Sequence, residues 1–247
     1  VTAQVAASGV GLYVLASGRV RLRLRLRDFA FDPDVLRRIV GIGVPASVQM
    51  GLRALMAMVL TRFVAGFGKT ALAAYTVGMA LDQIAFMPTF GVAEASAALV
   101  GQNLGAGKPD RARRSAYTAM AYAIAVMGSL GVVFALAAPQ MMRLFALSEE
   151  GVAAGSTMMR IIAGSLAFSG MGISLNRALT GAGDTTPGMV ITVLSLWGVQ
   201  VPLAWYLKGL PALGVTGIWI AIALSAVLQG TLTLMYFATG RWQQARA

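Results

Sequence analysis

Neither cysteine nor histidine occurs anywhere in the 247 residues. A disulfide framework and a thiolate metal site are therefore impossible, and without imidazole the usual zinc chemistry and a histidine proton relay are excluded as well. Charge is also scarce. Only 12% of residues are Asp, Glu, Lys or Arg, against roughly 25% in a soluble globular domain, so a water-facing shell cannot be built. No nucleophile–base pair or metal-ligand cluster stands out, and an enzyme is not expected. What fills the chain instead is apolar: 57% of residues are hydrophobic and mean hydropathy is +0.73. The net charge of +11 would suit nucleic acid, but the basic residues sit between apolar runs and not along one exposed face. The expected partner is the lipid bilayer, not nucleic acid.

Six long apolar segments are read at residues 39–67, 71–104, 115–142, 152–178, 188–207 and 213–238. Each reaches the roughly 20 residues needed to cross about 30 Å of hydrocarbon at about 1.5 Å per residue. Backbone in lipid must satisfy its own hydrogen bonds, which runs of this length do as helices. The expected fold is an all-α integral membrane protein, a six-helix transmembrane bundle. A shorter apolar run, Val1 to Ser17, meets arginines at its C-terminal side, the reverse of a signal peptide. We read residues 1–18 as the tail of a transmembrane helix whose beginning is missing, 19–38 as a basic cytoplasmic loop, 39–240 as the bundle and 241–247 as a cytoplasmic tail.

Arg19, Arg21, Arg23, Arg25 and Arg27 alternate with aliphatic residues, which puts all five on one side of an extended segment. They set topology. With Arg37, Arg38, Lys108, Arg111, Arg113, Arg114, Arg177, Arg241 and Arg246 they form one set in alternate connections, against only Lys69, Arg143 and Lys208 on the other side. The rule that cytoplasmic loops carry the excess of Lys and Arg then places the first set, and the C-terminus, inside. Pro45, Pro88 and Pro202 fall within spans, and Pro88 is expected to kink its helix.

Ionisable residues within a span cost about 2.5–3.5 kcal/mol each on insertion scales, so each asks for a reason. Glu94 lies well inside the second span and shares a stripe with Gly91, Ala97, Ala98 and Gly101, small residues that allow close helix approach or leave room for a ligand. Asp82 precedes it by twelve residues, with Pro88 between. In the preceding span Gln49 and Arg53 stand four apart on the face of Pro45, a polar line able to meet one of the acids. Glu94 and Asp82 are the candidates for cation coupling, with Arg53 biasing their affinity; the alternative is a structural ion pair. Glu94, on its small-residue face, is the residue whose replacement most directly tests coupling. Candidates for a substrate surface are Gln49, Tyr75, Met79, Trp197 and Gln200, since methionine and aromatic side chains adapt to varied ligands. Trp197 and Gln200, three apart on an uncharged span, are the foremost of them.

Gly-Ala-Gly occurs twice, at Gly105–Gly107 and Gly181–Gly183. A phosphate loop needs G-x-x-x-x-G-K-[ST], but Gln102 stands at the first glycine and Pro109 follows Lys108. The dinucleotide pattern fails as well, with Asp110 and Thr186 at its third glycine. A glycine that allows a left-handed cap suits a helix end. We read Gly101, Gln102, Asn103, Gly105 and Gly107, and Gly181, Gly183 and Asp184, as the endings of two inward-running helices.

Gly43-Val-Pro-Ala46, Ala85-Phe-Met-Pro88, Leu99-Val-Gly-Gln-Asn-Leu-Gly-Ala-Gly-Lys-Pro-Asp110 and Leu179-Thr-Gly-Ala-Gly-Asp184 together resemble the C-terminal lobe of multidrug and toxic compound extrusion (MATE) transporters. The resemblance covers nearly all of residues 30–240, and Val1–Ser17 resembles the end of the sixth of twelve helices. It implies two six-helix bundles, of which this chain supplies one and an N-terminal six-helix lobe is missing. It also implies export of small organic, often cationic, compounds by antiport against protons or sodium, with no cofactor, in the bacterial inner membrane. Where many members carry an acid in the first helix of this lobe, this chain offers Gln49 or Arg53; where members have aspartate after a phenylalanine in the fourth, Ser169 follows Phe168. The cation site is then either rebuilt around Glu94 and Asp82 or located in the N-lobe. A flippase for lipid-linked or polar-headed substrates and a non-transporting remnant or interaction lobe are the alternatives.

Overall fold

A computed structural model describes residues 2–17, 32–145 and 147–244. The run of alternating arginines and Arg246 lie outside the described residues. The chain divides into two units, Val1–Val40 and Gly41–Ala247. The first contains helix α1 (Thr2–Ala16) and the opening turns of α2 (Pro33–Ala65), which start on an aspartate cap: Asp32 Oδ1 accepts from the backbone N–H of Asp34 and Val35 at 2.9 and 3.2 Å.

In the second unit, α2 continues and is followed by α3 (Lys69–Gly105), α4 (Pro109–Arg143), α5 (Glu149–Ala163), α6 (Leu166–Gly181), α7 (Thr186–Thr192), a π-helical stretch Val193–Gln200, α8 (Val201–Lys208) and α9 (Val215–Ala238). Among the described residues five helices or continuous helical runs are long and apolar enough to cross a membrane, and six if α5 and α6 form one bent span. The architecture is the six-helix membrane bundle expected from the apolar runs. Helix α3 packs on α4, α5 and α6, α4 on α5 and α6, and α9 on α6 and α8.

The helices are interrupted at other places than proline alone indicates. α3 runs without a break through Pro88, whereas the fourth span turns by 54° between α5 and α6, at Gly164-Ser165, where no proline is present. Gly/Ser pairs are a known source of kinks, and here both the backbone N–H and the hydroxyl of Ser165 donate to the Ile162 carbonyl, each at 2.8 Å. In the fifth span, widening to the π form precedes Pro202, whose ring nitrogen has no proton for the helical ladder.

Two apolar cores hold the bundle. Around one, Tyr75 stacks on the fully buried Trp219, with centroids 5.5 Å apart, among Met127, Phe134, Met142, Met158 and Leu166. The other gathers Val100, Leu175, Leu179, Phe237 and Trp242 near the end of α3. There α3 and α6 approach to backbone contact: a Cβ on Gly101 would sit 2.8 Å from the Gly181 carbonyl oxygen, and a Cβ on Gly181 would collide with the Ala97 carbonyl. Both helices close in the same way. Gly107 (φ 69°) and Gly183 (φ 81°) are left-handed. Gly107 N–H donates to Leu104 O and Lys108 N–H to Asn103 O at 2.9 and 2.8 Å. In the second, Gly183 N–H donates to Thr180 O and Asp184 N–H to Leu179 O at 3.0 and 2.9 Å. These are two copies of the Schellman ending.

Candidate functional site

A cavity of about 830 Å³ opens between α2, α3, α5, α6, the π-helical stretch and α9. Its wall is mostly apolar, with Met56, Met79, Phe86, Phe90 and Ile222, and is set with amides and hydroxyls: Gln49, Gln83, Asn176, Gln200, Ser225 and Gln229. Among the described residues three charged side chains reach it, Arg53, Asp82 and Arg177.

Asp82 projects from α3 with one carboxylate oxygen, Oδ1, buried and without a hydrogen-bond partner among the described residues. A buried carboxylate oxygen left unpaired is costly. Among the described residues the ion pairs are Arg143–Glu149 at 3.9 Å and Arg177–Glu94 at 3.2 Å. Neither Asp82 nor Arg53 has a partner in that set. The polar line of Gln49 and Arg53 thus meets no acid within ion-pair distance, although both residues line the same cavity as Asp82.

Glu94 lies outside the cavity lining. It forms an ion pair with Arg177, Oε1 standing 3.2 Å from Nε, and the Arg177 guanidinium also stands 6.0 Å from the Phe90 ring centroid. Its small-residue stripe serves the close crossing of α3 on α6, where Ala97 and Gly101 meet Gly181. Asp184, after the second glycine cap, accepts from the Tyr236 hydroxyl at 2.6 Å, tying the end of α6 to α9.

Gln49 donates through Nε2 to the Gly188 carbonyl at 2.9 Å and to Thr192 Oγ1 at 2.6 Å, and Gln229 Nε2 donates to the same hydroxyl oxygen at 3.0 Å. Across the wall the Ser225 hydroxyl donates to Gln200 Oε1 at 2.9 Å. Tyr75, Met79 and Gln200 line the cavity, but Trp197 does not. Its indole N–H donates to the Leu52 carbonyl at 3.2 Å, binding the π-helical stretch to α2. In a stretch bonded i to i+5, residues three apart no longer stack as they do in an α-helix, so Trp197 and Gln200 part. Sequence reasoning passed over Thr192 and Gln229; the signal for Gln229 was an amide alone in an otherwise apolar run. Nothing in the sequence pairs Arg177 with Glu94, which lie in different spans.

The MatE family matches residues 45–206. The chain is 27% identical over 214 residues to "Multidrug resistance protein NorM" of Burkholderia vietnamiensis, covering 85% of this chain and 46% of that protein. Among solved structures it is similar to an outward-facing multidrug resistance MATE family transporter, with TM-score 0.85 and 21% identity over 96% of this chain and 53% of that one. It is also similar to a MOP superfamily transporter from Pyrococcus furiosus, with TM-score 0.89 and 18% identity over 98% of this chain and 55% of that one. The chain spans about half the length of the curated relatives it matches. It belongs to the MatE family, and its fold is that of a lobe of these transporters.

Proposed function

We propose that this member of the MatE family is one lobe of a secondary transporter that exports organic, cationic compounds in exchange for protons or sodium, by rocking of two six-helix lobes about a central cavity. In the whole protein a second lobe faces the cavity described above. The chain spans the bacterial inner membrane with its C-terminus in the cytoplasm, as the distribution of lysine and arginine supports. It needs no cofactor beyond the coupling ion.

The observation that carries the reading is Asp82: a carboxylate in the cavity wall, with a buried oxygen that no group among the described residues satisfies. We assign it the coupling ion. Ion and substrate compete for one negative charge in a low-dielectric cavity, so loading of either favours release of the other. Arg53 in the same wall lowers the affinity of the site for cations and so aids release. Gln49, Tyr75, Met79 and Gln200 form the adaptable surface for the substrate. Glu94 takes the structural role, through Arg177.

The test is efflux of a cationic dye from proteoliposomes of the full-length protein under a proton gradient and, separately, a sodium gradient. Asp82→Asn is expected to abolish gradient-driven efflux, with Glu94→Gln keeping most of it. Full coupling in Asp82→Asn would move the ion site to the other lobe. A second reading, flipping of a polar-headed amphiphile, draws on Arg53 and Arg177 in the wall; it predicts that anionic amphiphiles, and not cations, compete with the dye.

A further inference from the structure

Helix α4 lines no part of the cavity. The helix buries Ala112, Ala116, Ala119, Ala123 and Met127 against the bundle. On its other side Arg113, Arg114, Tyr117, Tyr122, Ala121 and Ala125 line a shallow open groove. Arg113 is held in place: its guanidinium lies 5.6 Å from the Tyr117 ring centroid, and Tyr117 is itself fixed edge-on against Phe237 at 5.4 Å. Among the described residues neither arginine has an acidic partner within ion-pair distance. The groove's one acid among the described residues, Asp110, sits in the first turn of α4, where the helix N-terminus offsets its charge.

The position of these groups along the helix identifies what fits them. α4 has 35 residues, about 52 Å, against about 30 Å of hydrocarbon, so about 11 Å at each end lies among headgroups when the helix is centred. Arg113 and Arg114 fall about 6–8 Å from the start at Pro109, Tyr117 about 12 Å, and Ala121 and Ala125 about 18–24 Å. Guanidiniums are thus at phosphate depth, an aromatic at the interface and small side chains at acyl depth. We propose that this groove binds an anionic phospholipid of the leaflet on the Pro109 side, its phosphate on Arg113 and Arg114 and an acyl chain along Ala121 and Ala125. The small alanines leave room for the chain, and the exposed Tyr122 ring walls it on one side.

The test is native mass spectrometry of the purified full-length protein with phosphatidylglycerol and phosphatidylcholine at equal mole fraction. Wild type is expected to retain phosphatidylglycerol over phosphatidylcholine by roughly tenfold or more, since each headgroup-level arginine contributes roughly fivefold. Arg113→Gln with Arg114→Gln brings the ratio near parity, and Arg113→Lys with Arg114→Lys restores part of it. Lys108→Gln with Arg111→Gln removes the same charge outside the groove and keeps most of the preference. Excess inorganic phosphate leaves the lipid bound, because the acyl chain contributes. No preference in wild type, or equal loss in the Lys108/Arg111 variant, would overturn the site in favour of diffuse surface charge. Displacement of the lipid by inorganic phosphate would reduce it to a free-anion site. A change in oligomer mass without a change in lipid ratio would show a second copy on this face and overturn it as well.

Discussion

Two carboxylates on one helix have opposite surroundings. Asp82 and Glu94 are separated on α3 by about 18 Å, yet Asp82 borders a cavity with a buried oxygen unpaired, while Glu94 is half-exposed and joined to Arg177 at 3.2 Å. The difference comes from what α6 offers at each level. Near Glu94 the two helices touch through Ala97, Gly101 and Gly181, which leaves space for one ion pair and nothing larger. At the level of Asp82 the cavity is lined by both α3 and α6, next to the 54° bend between α5 and α6. A charge neutralised by a fixed partner stabilises a contact, whereas a charge without one is available to exchange ligands.

The sharpest attempt to break this contrast is on transport. Asp82→Asn should remove gradient-dependent dye efflux from proteoliposomes altogether, while Glu94→Gln retains it; the reverse pattern would invert the assignment. Next in size is the crossing. Gly181→Ala places a Cβ against the Ala97 carbonyl and should destabilise the protein by about 1–3 kcal/mol, read as a lowered midpoint in thermal unfolding. Gly43→Ala, with nothing within 4 Å of its added Cβ, should leave the midpoint nearly unchanged.

Behind the cavity wall, Thr192→Val takes away the oxygen shared by Gln49 and Gln229 and should cost about 1–2 kcal/mol. Thr192→Ser should recover most of that loss in the same unfolding assay. The smallest effect belongs to the partly exposed pair: a double-mutant cycle on Glu94→Gln and Arg177→Gln should give a coupling below about 1 kcal/mol, weakening as salt is raised. A much larger, salt-insensitive coupling would make the α3–α6 contact a principal electrostatic strut of the lobe.

The bundle was legible because membrane spans are written in composition: an apolar run long enough to cross lipid has few alternatives to a helix. The glycine endings were legible for a local reason as well, since a left-handed residue after a helix favours glycine in any context. The breaks were harder. Proline is conspicuous, and Pro88 drew attention to α3, yet the structural break is at Gly164-Ser165, a pair known to bend helices but easily lost in an apolar run. At Trp197 the spacing rule for an α-helix was applied to a stretch that is π-helical, and the inference about its facing failed with it.

Sequence alone determined the medium, the helices and their endings, because hydrophobic length and glycine geometry act within one segment. It also marked Asp82, Glu94 and Arg53 as charges that need a reason. Which of the two acids finds a partner was decided only by tertiary structure. Arg177 comes to Glu94 from another span, 83 residues away, because glycines allow α3 and α6 to touch there. No periodicity within either helix encodes that meeting. Charge neutralisation in lipid depends on what lies within a few ångströms, and that distance is set by how helices pack.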